Sequence, residues 1–388
     1  MDRRKILSGA GLIATAGAAS LALGALGTTR STIRSGKTGH TGHPDQIASP
    51  TIVTGQRELK MVTTWPKNFP GLGMSPERIA LRVAEMTDGA LTIKVYAAGE
   101  MVGAFEAFDA VSTGAADMYS GAEYYWQGKS KAFNFFTSVP FGMTAQDIQA
   151  WIYHKGGQEL WNELSARFGV RAFMAGNSGN QMGGWFRNEI NSLDDLKGLK
   201  MRMPGLGGEV LRRLGASAIA LPGGEIFAAL QSGAIDATEW VGPWNDLAFG
   251  FYKIAKYYYY PGFHEPGAQL AVGINLDIWN SLPKYQQVIV AQACAAENDY
   301  SLAEFNAYNM NALRALTNEH GVKMRIFSDE ILTEIGRVSG IVVREAGEED
   351  ELSQRIYNSF IEARQQGMEL SGINDEPYLA ARRLDFEY

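Results

Sequence analysis

The stretches 107–117 and 226–236 spell one unit twice. The first reads Ala-Phe-Asp-Ala-Val-Ser-Thr-Gly-Ala-Ala-Asp, the second Ile-Phe-Ala-Ala-Leu-Gln-Ser-Gly-Ala-Ile-Asp. Each predicts a helix stopped by a glycine, because Gly114 and Gly233 tolerate the left-handed conformation that ends a helix. A short turn then leads through Asp into a strand. A chain carrying this unit in both halves is constrained to two similar α/β lobes. Its 388 residues, 46% of them hydrophobic, suffice for about two domains with ample core. Ligands of open α/β sheets sit beyond the carboxyl ends of the strands. Those ends carry Glu123, Tyr124, Tyr125 and Trp126 in one lobe and Glu239 and Trp240 in the other, so the two lobes face each other across a cleft.

Around the first copy the pattern reads strand (59–64), a loop with Gly71 and Gly73, helix (76–87), strand (91–96), helix (105–112) and strand (115–120). Ile79, Val83 and Met86 share a helix face, and 91–96 alternates with period two. Residues 146–168 predict one helix, 170–175 a strand, 199–203 a strand, 208–214 the start of a helix, and 269–275 a strand crossing back to the first lobe. The helical segments at 284–319 and 328–371 are too long for connectors. They are expected to brace both lobes or to pair with another subunit. The expected division is lobe I at 58–175 plus 268–330, lobe II at 176–267, and a C-terminal helical brace or dimerisation segment at 331–388.

Charge separates along the chain. Residues 1–57 hold seven Lys/Arg against two Asp, and with the whole chain at −7 the remainder carries a net −12. An acidic body excludes nucleic-acid binding, which needs a basic footprint, but leaves room for an anionic ligand beside a buried Arg or a bound cation. Arg3, Arg4 and Lys5 precede a mild apolar run of Gly, Ala and Leu. This predicts a signal segment at 1–27 of the twin-arginine type, with Ser8 where that signal often has Lys. A membrane anchor is the alternative. Residues 28–57, rich in Gly, Ser, Thr, His and Pro, read as a linker. Cys294 is the single cysteine, so no intramolecular disulfide forms, and the five histidines make no HxxxH pair, which argues against a zinc site.

Three stretches carry chemistry. Residues 176–186, Gly-Asn-Ser-Gly-Asn-Gln-Met-Gly-Gly-Trp-Phe, surround amides with glycines that let backbone approach a ligand. No Gly-Lys-Ser/Thr follows, so this is not a phosphate loop, and an ordinary turn is the plain reading. Arg202 ends a strand before Pro204 and Gly205. It either clamps a carboxylate in the cleft or pairs with a nearby acid at the surface. Glu239 stands among apolar neighbours and needs a cation. Glu265 follows four tyrosines, and spacing alone leaves it a site residue or a loop charge. Two acids, the Gln181 amide and a carbonyl would make a hard oxygen cage for Na⁺ or Ca²⁺.

At these residues the chain resembles the extracytoplasmic receptors of TRAP (tripartite ATP-independent periplasmic) transporters, the DctP-type family. The resemblance covers essentially all of 58–370 and is closest to the branch binding 2-oxo acids and related monocarboxylates. It rests on 181–186 (Gln-Met-Gly-Gly-Trp-Phe), 198–202 (Gly-Leu-Lys-Met-Arg), 235–243 (Ile-Asp-Ala-Thr-Glu-Trp-Val-Gly-Pro) and 257–262 (Tyr-Tyr-Tyr-Tyr-Pro-Gly). It implies a two-lobed periplasmic binding protein fold of the α/β class with hinge strands and long C-terminal helices. It implies that Arg202 clamps a small organic carboxylate, with Gln181, Asn177, Tyr124 and Trp240 as further substrate-binding candidates. Gln181, Glu239, the Trp240 carbonyl and Glu265 match the family's ligands for Na⁺ or Ca²⁺. Permease subunits in the membrane and a homodimer through the C-terminal helices are the implied partners, and the periplasm the implied location. Pro204, Leu206 and the stretch beyond about 371 depart from the pattern. The competing expectation is a secreted hydrolase using Glu239 and Glu265 as an acid–base pair; no nucleophile–base set accompanies them.

Overall fold

The computed structural model describes residues 55–387. The signal segment and nearly all of the linker expected at 1–57 lie outside these residues. Among the described residues no helix is long and apolar enough to cross a membrane.

Eleven strands form two sheets. They are β1 (Arg57–Thr63), β2 (Leu91–Tyr96), β3 (Met118–Gly121), β4 (Val170–Asn177), β5 (Gly184–Phe186), β6 (Lys200–Arg202), β7 (Ser217–Ile219), β8 (Ala237–Thr238), β9 (Tyr257–Tyr260), β10 (Gln269–Asn275) and β11 (Lys323–Ile326). The first sheet has the order β2-β1-β3-β10-β4 and the second β11-β9-β5-β8-β6-β7. β1, β2 and β3 run parallel, with the helix Ser75–Met86 crossing between the first two. The repeated unit appears in both sheets. The helix Ala107–Ser112 leads into β3 and the helix Gly223–Ser232 into β8, with Gly114 at φ 79° and Gly233 at φ 75°.

The chain leaves the first sheet at the end of β4 and returns along β10, antiparallel to both β3 and β4. Asn177 pairs with Gln269 where the two segments cross. Both side chains are fully buried. Gln269 Nε2 donates to Asn298 Oδ1 at 2.6 Å and to the Gly176 carbonyl at 2.7 Å. The crossing is therefore locked by satisfied amides. Beside it Gly273 is required by packing. A Cβ there would lie 2.1 Å from the Tyr119 ring, which covers the strand.

Residues 268–330, expected wholly in the first lobe, contribute to both sheets. β10 joins the first, while β11 pairs parallel with β9 at the edge of the second. The helix expected at 146–168 is two, Ala145–His154 and Gly157–Ala166, broken at Gly156 with φ 81°. The helix expected at 328–371 is also two, Asp329–Gly347 and Glu351–Ser371. Asp350 caps the second by accepting from Ser353 N at 2.7 Å. The first of these packs on the helix Gly205–Arg213 of the second sheet, and the second packs on Gly157–Ala166 of the first.

Candidate functional site

Four loops at strand ends converge between the sheets. Arg202 ends β6, and Glu239 follows β8 next to it, with Glu239 N donating to the Arg202 carbonyl at 3.2 Å. Gln181 lies between β4 and β5, and Glu265 between β9 and β10. Gln181 N donates to the Glu265 carbonyl at 3.1 Å, which fixes these two loops side by side. Tyr124 and Tyr125 come from the short 3₁₀ turn Glu123–Trp126 after β3. Strand-end residues of both sheets thus lie together in one place.

Arg202 and Glu239 are both fully buried, and the guanidinium is ion-paired through Nη1 to Glu239 Oε1. Nε donates to the Leu221 carbonyl at 3.2 Å and Nη1 also to the Glu239 carbonyl at 3.3 Å. Nη2 reaches only the Tyr125 hydroxyl, at 3.4 Å, so this nitrogen keeps donor capacity for an incoming anion. The guanidinium also lies 5.1 Å from the Trp240 ring. Of the two fates open to Arg202 at the sequence level, pairing with an acid is realised, but in the interior and inside the site.

Gln181 donates from Nε2 to Glu265 Oε2 at 2.7 Å and to Ser178 Oγ at 2.9 Å. That turns its Oε1 away, and this oxygen is buried without a partner, as is Glu239 Oε2. Glu265 is pushed up to about 7 by burial first and by the Glu239 charge second; His264, Arg202 and a hydrogen bond from Tyr124 oppose the rise. Burial and the same two carboxylates hold the Tyr124 hydroxyl well above its usual range. Orphaned buried oxygens cost free energy unless something fills their coordination. Two carboxylates and an amide oxygen are the donors a hard cation takes, so the residues present fit Na⁺ or Ca²⁺.

The cavity is walled by Trp65, Tyr124, Tyr125, Gln181, Trp240 and Glu265, and only about 10 Å³ in it is free to a water-sized body. Trp65 meets Trp240 edge-on at 6.2 Å and Tyr125 at 6.3 Å, and the three rings close the space. Asn177 is not among the walls. Its Oδ1 accepts from Gly179 N at 2.8 Å and its Nδ2 donates to Gln269 Oε1 at 3.3 Å, which seats it at the strand crossing.

Two residues, Asp246 and His264, escaped the sequence reading, which placed Glu123 at a strand end without its partners. Asp246 is buried and accepts from Val241 N at 3.2 Å, Trp185 Nε1 at 2.9 Å and Tyr258 Oη at 2.6 Å. It pins the turn that carries Glu239 and Trp240, and burial pushes it up to about 7. Glu123 repeats the arrangement in the first sheet, held by Tyr119 Oη and by Trp161 Nε1 at 2.6 Å, and it too is raised to about 7. The second missed group is His264, whose neighbour Glu265 was the available signal. Its Nε2 lies 3.4 Å from Glu239 Oε2.

This constellation on this fold matches known proteins. The profile of the bacterial extracellular solute-binding proteins, family 7, called DctP, matches residues 61–350. The chain belongs to the DctP family. A relative from Nostoc sp., a monocarboxylate 2-oxoacid-binding periplasmic protein, is 44% identical over 82% of this chain and 87% of its own. A TRAP periplasmic solute-binding protein from Pseudoalteromonas atlantica, solved with bound sodium and pyruvate, superposes with a TM-score of 0.82 at 40% identity, covering 86% of this chain and 100% of that one. One from Bordetella bronchiseptica superposes at 0.83 with 33% identity, over 84% and 97%; it is a mixed-occupancy dimer with copurified calcium and picolinate in one active site and the other apo. The two-lobed α/β architecture of the DctP receptors is therefore the fold of this chain, and solute binding outside the cytoplasm is the family's role.

Proposed function

We propose that the chain is the extracytoplasmic solute receptor of a TRAP transporter and binds a small monocarboxylate, a 2-oxo acid such as pyruvate or a 2-hydroxy acid such as lactate, together with Na⁺ or Ca²⁺. The observation that carries this reading is the meeting of Glu239, Glu265 and the unpartnered Gln181 Oε1 beside a guanidinium whose Nη2 has donor capacity left. When bound, the cation neutralises the two carboxylates and offers a contact to the cargo's oxygens. Arg202 Nη2 takes a carboxylate oxygen. The rings of Trp65, Tyr124, Tyr125 and Trp240 exclude water. Because the free space is so small, the lobes part to admit cargo, and their closure presents a joined surface to the permease. No catalysis is assigned: the family's role is solute binding, and Glu239 is ion-paired to Arg202.

Native mass spectrometry of receptor purified without added ligand is expected to show a bound mass of a C3–C5 oxo or hydroxy acid plus one cation. A retained sugar or amino acid, or turnover of the acid on incubation, would refute the reading. For the route of export we propose the twin-arginine pathway, on the strength of Arg3 and Arg4. Replacing both by Lys should leave the precursor in the cytoplasm, and an unchanged periplasmic yield would exclude that pathway.

A further inference from the structure

His264 is 3% exposed, yet neither Nδ1 nor Nε2 has a hydrogen-bond partner. A buried imidazole whose one polar neighbour is Glu239 Oε2, 3.4 Å from Nε2 and outside hydrogen-bond geometry, is costly, and such a group calls for an explanation. The ring points into the site. One ligand atom each from Glu239, His264 and Glu265 lies within 4.8 Å of the other two. An ion bound at about 2.0–2.5 Å from each of its ligands fits inside such a triangle. The residue is firmly seated. Its carbonyl accepts from Ser138 Oγ at 3.4 Å, and the Phe263 ring stands edge-on at 5.5 Å. Its Cβ is so close to Gly207 that a Cβ added there would lie 2.8 Å away.

We propose that His264 is a nitrogen ligand of the cation, so that the centre also accepts a d-block divalent ion such as Mn²⁺. The inference rests on the cation site proposed above and changes its chemistry. Carboxylates and amide oxygens suit hard ions, whereas imidazole shifts preference toward the transition series. Oxygen donors also take Mn²⁺, so Mn²⁺ binding does not by itself reveal the imidazole; a nitrogen seen directly on the bound ion does.

The test uses the full mature receptor, stripped of ions and cargo and loaded with Mn²⁺ alone. Pulsed electron paramagnetic resonance should show ¹⁴N coupling from one imidazole. In His264→Gln that coupling should vanish, and Mn²⁺ affinity by calorimetry should fall roughly tenfold or more, since even outer partners of a metal ligand are worth that much. Ca²⁺ affinity of the same variant should change by much less. Mn²⁺ bound without imidazole coupling would overturn the assignment of His264 while leaving the carboxylate cage intact. If neither Mn²⁺ nor Ca²⁺ binds, the cation site falls, and this inference with it.

Discussion

A cation and a monocarboxylate added together should raise the melting temperature of the stripped receptor by more than the sum of their separate effects. Glu239 and Glu265 outnumber Arg202, so the centre by itself carries an excess negative charge, and a cargo carboxylate doubles it. Like charges in a buried site repel strongly because little solvent screens them. A cation removes that repulsion, so each ligand tightens the other by the same factor, typically about 5–150-fold. Ca²⁺ brings the loaded centre to neutrality and Na⁺ does not, so the synergy should be larger for Ca²⁺. Both ligands bind the folded state, which is why thermal shift reads the coupling. Glu239→Gln and Glu265→Gln should abolish the synergy while the variants still melt cooperatively. Equal stabilisation by pyruvate with and without a cation, in wild type and variants alike, would remove the metal site.

Arg202→Ala should both weaken the fold and lose the cargo, and the structure separates the two effects. Glu239 is fully buried and paired to this guanidinium. Stranding a buried charge costs about 3–5 kcal/mol, which for a domain of this size lowers the melting temperature by several degrees. Arg202→Ala combined with Glu239→Gln removes the stranded charge and should recover most of that stability. It should not recover binding: affinity for pyruvate should stay at least about tenfold below that of Glu239→Gln alone, the worth of one charge-assisted bond. A stable double variant with native affinity by calorimetry would show that Arg202 holds Glu239 and nothing else.

Local pattern carried much of this fold. The two helix–Gly–Asp–strand units were readable because a glycine stop and a period change are local signals, and both glycines adopt the left-handed conformation. β10 was readable from its apolar run bounded by loops, and its bounds coincide with those expected. The breaks at Gly156 and Asp350 were missed because the apolar periodicity runs through them, while the positive φ and the cap that interrupt the helices are decided by single residues. β11 was placed in the wrong lobe because its partner β9 is distant in sequence. The acids, the amide and the arginine expected to carry chemistry do meet in the structure, but their internal pairing is not legible in the sequence. No spacing rule shows that Glu239 sits on Arg202, that Asn177 turns toward Gln269, or that His264 faces Glu239.

The helix Lys284–Asn318 has 35 residues and therefore runs about 50 Å. More than a third of the way along it, buried Glu297 takes Arg78 at 2.6 Å and also Arg82, which fastens it to the helix Ser75–Met86 beside the first sheet. Two turns further on, Trp244 from the second sheet packs between Phe305 at 5.5 Å and Tyr308 at 4.9 Å, and its N–H is held by Asn309 Oδ1 at 3.1 Å. A helix does not lengthen, so these two anchorages stay at a fixed distance as the cleft widens. The lobes therefore cannot simply be drawn apart. On the reading proposed above, in which the lobes part to admit cargo, a swing about this helix and the locked crossing of β4 and β10 is the movement that keeps both anchorages whole.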